Sequence, residues 1–558
     1  MQKLSTLIDA AMGRSPCDLI IKDVRFLDVF QCKWRVGDIS IKDGYIVGVE
    51  SGLKSKRVVS AKGKFLVPGF IDAHVHVESS LMAPGDFESV VLPHGTTTAI
   101  CDPHEITNVI GVKGLEYFVS AAESLSLDLR VMLSSCVPAS HPGLETNGAG
   151  VIESAALEQF KNHEKVLGLA EMMNMPGVIH NDPIVHEKLE HFQDRMIDGH
   201  APLLQGRELS AYATAGISSC HESSSLKEAS EKLSKGLSCW IREGSVAKDL
   251  EALAPLLTIE TSTSIGFCTD DRNPLDIARE GHIDHLIRGA IKSGVKPEIA
   301  YRAASWSVAK HYGLRRVGAI APGYRADLVM LGDAKKCSVL RVWKSGVDVK
   351  DLPFIGSKQK NFENTIRALE TEDSDFIAPT GQVNTIGVRV GQILTDHLVM
   401  NSSDQGVAKL SVIERYGNGQ KPANAYAYGF GSKFRGAIAS SVGHDSHNLI
   451  VVGKSESDMN IATRALRESG GGFCVVDRGV VTSILPLPFG GLMSTETPKA
   501  IEKKLVHLRK ASHAIGCEYD EPFLQLAFLS LPVIPSLKLT DKGLVDVNQF
   551  KIIGVRSS

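Results

Sequence analysis

The chain has 558 residues, 43% of them hydrophobic and 22% charged, a globular composition far from that of a disordered polymer. At roughly 150 residues per domain it holds about two to four domains, and its length allows a large buried core. Its 61 Lys and Arg against 64 Asp and Glu leave a formal net charge of −3, with no basic excess to neutralise phosphates, so no nucleic-acid partner is expected.

The segment Met1 to Arg14 interrupts its apolar residues with Lys3, Asp9 and Arg14, and no stretch approaches the ~18 uninterrupted apolar residues of a membrane span. No membrane association is expected. The 10 cysteines are scattered without a CxxC pair, which predicts reduced thiols and a cytoplasmic setting.

Residues 18–67 read as short strands with turn signals, including Lys42-Asp43-Gly44 at a hairpin. The same texture returns at 318–349, and the two segments, taken as 1–67 and 311–355, are expected to form one composite β-sandwich. Between them, over 68–310, eight short apolar runs alternate with helical stretches: 69–76, 96–103, 129–138, 166–173, 195–201, 216–222, 236–244 and 264–271. Helical stripes at Leu115, Phe118, Val119 and Ala122, and at Leu226, Ala229 and Leu233, occupy two of the intervals. Eight strands with intervening helices predict an α/β fold, a TIM-type (β/α)8 barrel. The polar stretch 350–378 reads as a connection to a C-terminal α+β domain over about 380–558.

In such a barrel the chemistry sits where each strand feeds its loop. The first run ends in His74-Val75-His76, whose period-two spacing puts both imidazoles on one side of the strand. The fourth run ends in Glu171, the fifth in His200, the sixth in His221 and the eighth in Asp270. Four histidines and two carboxylates at one mouth make a nitrogen and oxygen donor set for Zn²⁺, Mn²⁺ or Fe²⁺. Glu78, Asp102, His104, Asn174, Glu222 and Arg242 also lie beside strand ends, placed to read a substrate edge, shuttle a proton or support a ligand. Cys220 and Cys268 alternate away from the mouth as small core residues. His444-Asp445-Ser446-His447 reads either as part of the site, leaning over the mouth, or as a hydrogen-bonded turn. The H-x-E of His76 to Glu78 lacks the P-C-x-x-C partner of the zinc nucleobase deaminases, which excludes that fold.

The blocks PGFIDAHVHVESS, LPHGTTTAICDPHEITNVIG, LAEMMNMPGV, DGHAP, CHESS and CTDDR resemble the amidohydrolase superfamily and, within it, the bacterial-type adenine deaminase family. Residues 440–453, 485–494 and 520–547 resemble that family's C-terminal domain, so the resemblance covers nearly the whole chain. It implies hydrolytic deamination of adenine by hydroxide held between two divalent ions, Mn²⁺ or Fe²⁺ first and Zn²⁺ next. His74, His76 and Asp270 would hold one ion and His200 and His221 the other, with Glu171 bridging where the superfamily often uses a carboxylated lysine. Asp270 would act as base and then acid, while Glu78, Asp102, His104, Asn174 and Arg242 are the candidate substrate contacts. Asp271, by strand alternation, is expected to face away and to tolerate substitution. A homo-oligomer with adenine as its small-molecule partner is expected. The alternatives are a cyclic amidase of the hydantoinase or dihydroorotase kind, opposed by the missing lysine, and a catalytically silent family member.

Overall fold

The computed structural model describes residues 2–354 and 364–557. The central part of the polar connection, 355–363, lies outside the described residues.

Five strands open the chain: β1 (Cys17–Asp28), β2 (Lys33–Lys42), β3 (Tyr45–Gly48), β4 (Ser55–Ser60) and β5 (Phe65–Pro68). Eight more follow at the expected runs: β6 (Phe70–Val75), β7 (Thr96–Cys101), β8 (Asp128–Leu133), β9 (Val166–Met172), β10 (Met196–Gly199), β11 (Ser219–Cys220), β12 (Ser238–Arg242) and β13 (Ile265–Cys268). Then β14 (Leu328–Leu331), β15 (Val339–Lys344) and β16 (Val347–Asp348) return to the opening strands. They join in one eight-stranded sheet, in the order β16-β15-β14-β5-β1-β2-β3 with β4 on β1. This sheet encloses a core of its own, with Ile21, Phe26, Ile41, Leu66, Leu328 and Trp343 among its buried residues.

The strands β6 to β10 pair in parallel, as do β11 to β13. At one seam the Ser218 amide donates to the Ile197 carbonyl at 2.9 Å. At the other, the Asp270 amide donates to His74 O at 3.0 Å and the His76 amide to Asp270 O at 3.2 Å. The two seams close the barrel. Its strands are almost wholly buried, as a parallel sheet covered by helices must be. The stripe Leu115, Phe118, Val119 and Ala122 is buried in the helix Val112–Ser124. The second stripe is only partly so: Ala229 is buried but Leu226 is exposed, and the same helix buries Lys232 against Glu228. Gly168 on β9 has no room for a side chain, since a Cβ there would lie 1.9 Å from Met196 O on the adjacent strand.

The C-terminal part carries β17 (Gln382–Val388), β18 (Thr395–Asn401), β19 (Val407–Ile413), β20 (Ala423–Tyr428), β21 (Ala437–Ser440), β22 (Leu449–Gly453), β23 (Gly472–Asp477) and β24 (Val480–Pro486). They form a sheet ordered β18-β17-β20-β19-β22-β21-β23-β24, with the helices Glu456–Ser469 and Pro498–Ala514 packed on it. A three-stranded sheet of β25 (Leu537–Thr540), β26 (Gly543–Asp546) and β27 (Lys551–Ile553) ends the chain.

A charged cluster ties the first sheet to the barrel floor. Arg325 reaches Asp128 on β8 at 2.7 Å and Asp327 at 2.6 Å, while Lys344 on β15 reaches Asp327 at 2.8 Å and Thr97 O at 2.9 Å. Burial pushes the Asp128 carboxyl up, but Arg325, Lys344 and Arg130 more than offset it and hold it well below the ordinary carboxylate range. Its contribution is therefore present above the unfolded value near pH ~4 and is lost as pH falls toward the depressed one. Breaking a buried ion pair costs about 3–5 kcal/mol. Because Arg130 and Lys344 remain, Arg325→Met is expected to lower the unfolding free energy by about 2–3 kcal/mol at pH 7, with a smaller difference below pH ~4, as measured by urea unfolding at the two pH values.

Candidate active site

The site is built on the closing seam of the barrel. Along β6, alternation sends Asp72, His74 and His76 to one side. The Asp72 carboxylate accepts from the Thr269 amide at 3.1 Å, the Thr269 hydroxyl at 2.5 Å and the His74 amide at 3.3 Å, which fixes β6 against the end of β13. Burial pushes the Asp72 carboxyl up to about 7.

Glu171, at the end of β9, divides its two oxygens between two pairs of imidazoles. Oε1 lies 3.5 Å from His74 Nε2 and 3.2 Å from His76 Nε2, whereas Oε2 lies 2.7 Å from His200 Nδ1 and 3.3 Å from His221 Nε2. The His74 and His221 rings stack at 4.1 Å. Asp270 faces the first pair, its Oδ1 3.2 Å from His76 Nε2 and 3.5 Å from His74 Nε2, and its Oδ2 accepts from Arg242 Nη1 at 3.1 Å. All of these side chains are buried. Arg242 also pairs with Glu222, and with Asp249 at 3.1 Å. The His76 ring is oriented from behind, its Nδ1 3.0 Å from the Asp102 carbonyl.

This environment is one for positive charge. Burial alone would keep His74 neutral, yet Glu171 and Asp270 raise its imidazole to about 10. Burial likewise works against ionising Asp270, but His74, His76, His221 and Arg242 hold its carboxyl well below the usual range. Overlapping groups bring ligand atoms close enough to share one ion, among them His74, His76 and Asp270; His74, Glu171 and His221; His200, His221 and Glu222; and His76, Asp102, His104 and Glu171. His200 Nε2 is buried without a hydrogen-bond partner, so no protein group has claimed that face of the ring. The donor set and its charge fit a divalent metal.

The other candidates divide. Arg242 and His104 line the pocket, as does Glu222. Three do not line it, although Asp102 lies with His76, His104 and Glu171 in one group of ligand atoms. Asp102 is occupied in holding His104, its Oδ2 2.9 Å from His104 Nδ1 and its Oδ1 accepting from the His104 amide at 3.1 Å. Glu78 accepts from the Ile106 amide at 3.2 Å at the start of the helix His104–Ile110, and burial followed by the charge of Glu105 pushes its carboxyl up to about 8. Asn174 caps the helix Met175–Ile179, accepting from the Gly177 amide at 2.9 Å, and faces a separate cavity of about 180 Å³ beside Cys136 and Lys188.

Asp271 does not face away as expected. The strand ends at Cys268, and Asp270 has φ +53, a left-handed conformation in which period-two alternation no longer holds. Asp271 consequently lines the same pocket, hydrogen-bonded by the Ser79 hydroxyl. Burial and the charge of Asp270 push its carboxyl up to about 6. Sequence reasoning also missed Glu105 and left His444 undecided. His444 and Asp445 line the pocket from the C-terminal part, and His444 Nδ1 is 2.8 Å from Glu105 Oε1, with His447 Nε2 against the other oxygen. His104 Nε2 faces Asp445 Oδ2 at 3.6 Å. The pairing crosses 339 residues of chain, which no local motif announces. Ser446 instead serves the turn, with its carbonyl accepting from the Tyr416 hydroxyl. Cys220 and Cys268 are buried in the apolar core as expected.

Comparison with known proteins agrees with this architecture. The family model described as "Amidohydrolase family" matches residues 65–349, and the one described as "Adenine deaminase C-terminal domain" matches residues 384–551. "Adenine deaminase 1" of Rhizobium meliloti (strain 1021) is 47% identical over 99% of this chain and 100% of its own length. "Adenine deaminase" of Brucella suis biovar 1 (strain 1330) is 46% identical over 99% of this chain and 97% of its own. Among solved structures, an N-acetyl-D-glucosamine-6-phosphate deacetylase from Mycobacterium smegmatis matches with a TM-score of 0.44 and 17% identity over 59% of this chain and 99% of that one. With half of its length matched by the first model and nearly all of it by these relatives, the chain belongs to the amidohydrolase family and, within it, to the adenine deaminases.

Proposed function

We propose that this chain hydrolyses adenine to hypoxanthine and ammonia at the pocket between Glu171 and Asp270, with Asp270 as the proton carrier. The observation that carries the site assignment is the division of Glu171, one oxygen to His74 and His76 and the other to His200 and His221, with Asp270 against the first pair. His74, His76 and Asp270 would hold one divalent ion, His200 and His221 a second, and Glu171 would touch both. Mn²⁺ and Fe²⁺ suit this imidazole and carboxylate set. Ions bound there supply Lewis acidity and hydroxide at neutral pH.

The chain's own residues then manage protons and orientation. Asp270 is ionised, its Oδ2 bonded to Arg242 and its Oδ1 facing the His74 and His76 pair, and this carboxylate would take the proton of the attacking water and pass it to the purine. Two protons must reach the base before ammonia leaves, one on the ring and one on the exocyclic amine. Asp271, His104 and His444 border the same space and can hold the second. The cyclic-amidase and silent-member readings fall away against full-length similarity to adenine deaminases and an intact donor set. We place the chain in the cytoplasm, since all ten cysteines are free thiols, and expect it to assemble as a homo-oligomer.

Ammonia release across nucleobases, with Mn²⁺ or Fe²⁺ supplied, tests the reading: adenine is expected to be turned over, and adenosine poorly. Asp270→Asn is expected to retain metal and adenine KM while kcat drops at least about a hundredfold, and a wild-type rate in that variant would remove the proton-carrier role. Asp271→Asn, which strand alternation alone would make silent, is expected to lower kcat about tenfold or more with metal content unchanged, checked by steady-state kinetics beside elemental analysis. Glu171→Gln is expected to bind less than the roughly two ions per chain of the wild type, because a neutral amide bridges cations poorly; full double occupancy contradicts it.

A further inference from the structure

The end of β9 has two sides. Glu171 and Met173 line the metal pocket, whereas Met172 and Asn174, at the alternate positions, line the separate cavity of about 180 Å³. The two cavities share no lining residue. The second has room for roughly six water molecules, and the deamination proposed above uses nothing in it.

This cavity contains a buried lysine. Lys188, on the helix Pro183–His191, is 5% exposed and donates to the Ser135 carbonyl at 2.8 Å. An ammonium has three N–H groups, and Lys188 forms no ion pair among the described residues. Burial pushes its amine down, with Cys136, Glu153, Asp182 and Glu187 opposing. Asn174 commits its Oδ1 to the Gly177 amide, which leaves the Nδ2 hydrogens for a ligand. The acid in the wall, Asp182, is engaged at one oxygen, its Oδ1 accepting from the Ile184 amide at 2.9 Å and the Val185 amide at 3.4 Å. Much of the remaining wall is apolar, and the exposed side chains of Val151 and Ile184 mark its opening.

A cationic donor beside an apolar wall selects an anion with a short alkyl chain. A carboxylate accepts charge-assisted bonds from Lys188 and pairs a buried charge that is costly alone. The cavity wall also carries the backbone of Glu171. Ser135, whose carbonyl takes Lys188, donates its hydroxyl to the Glu171 carbonyl at 2.6 Å, and the Cys136 sulfur accepts from the Met173 amide at 3.2 Å. A ligand that draws Lys188 from Ser135 therefore bears on Glu171 without entering the metal pocket.

We propose that this cavity is an effector site for a small monocarboxylate, held by Lys188 and Asn174 with its alkyl chain against Val151 and Ile184. The effector role rests on the deaminase reading given above, whereas the site itself does not. Calorimetry on the full-length chain with butyrate, butyramide and n-butylamine at fixed ionic strength tests the site. Butyrate is expected to bind, and the neutral amide and the amine at least tenfold more weakly. Lys188→Met and Ile184→Trp are each expected to weaken butyrate at least tenfold; Ile184 is exposed, so its variant reports if Lys188→Met fails to fold. In steady-state kinetics, butyrate is expected to shift kcat or KM for adenine at least about twofold in the wild type and not in whichever variant folds. No butyrate binding at millimolar concentration, equal affinity for the amide, preference for the amine, or wild-type butyrate affinity in a folded variant overturns the site. Binding through Lys188 with an identical kinetic response in wild type and variant overturns the effector role. A wild-type chain that binds butyrate but releases no ammonia from adenine refutes the proposed function, and the effector role with it, and leaves the site standing.

Discussion

The closing seam of the barrel carries the site. One residue, Asp270, gives its amide to the His74 carbonyl and its carbonyl to the His76 amide, so the hydrogen bonds that join the last strand to the first also bring three metal-type ligands together. Closing the fold and assembling the donor set are a single event. The left-handed backbone of Asp270 costs about 1–2 kcal/mol for a residue with a Cβ, and the two seam bonds hold it there. What that conformation achieves is to turn two successive carboxylates toward one cavity.

A second constraint is electrostatic. Glu105, Glu171, Glu222, Asp270 and Asp271 are all buried within one small volume, where an uncompensated carboxylate is costly. The protein compensates part of this with Arg242 and with imidazoles whose affinity for protons is raised by the same acids. Divalent cations at the Glu171 bridge would complete the balance and displace those protons, so metal loading and deprotonation of the histidines are coupled.

How much of this was legible follows from the range of each signal. His74, His76, Glu171, His200, His221 and Asp270 each end an apolar run, and strand periodicity with barrel topology is sufficient to bring them to one mouth. Asp271 was misread because periodicity was carried two residues beyond the strand, through a backbone φ that the sequence does not display. Asn174 caps a helix, a role that looks like a substrate contact in one dimension and for which the proline two residues later was the cue. Glu105 with His444 was invisible because the two meet only when the C-terminal part packs across the barrel mouth.

Where a barrel of this family bridges its ions with a carboxylated lysine, the bridge must first be made by capturing carbon dioxide. Glu171 brings its carboxylate ready-made from the ribosome. The proposed centre would therefore form without bicarbonate, and its loading in a degassed buffer would follow the metal concentration and the pH.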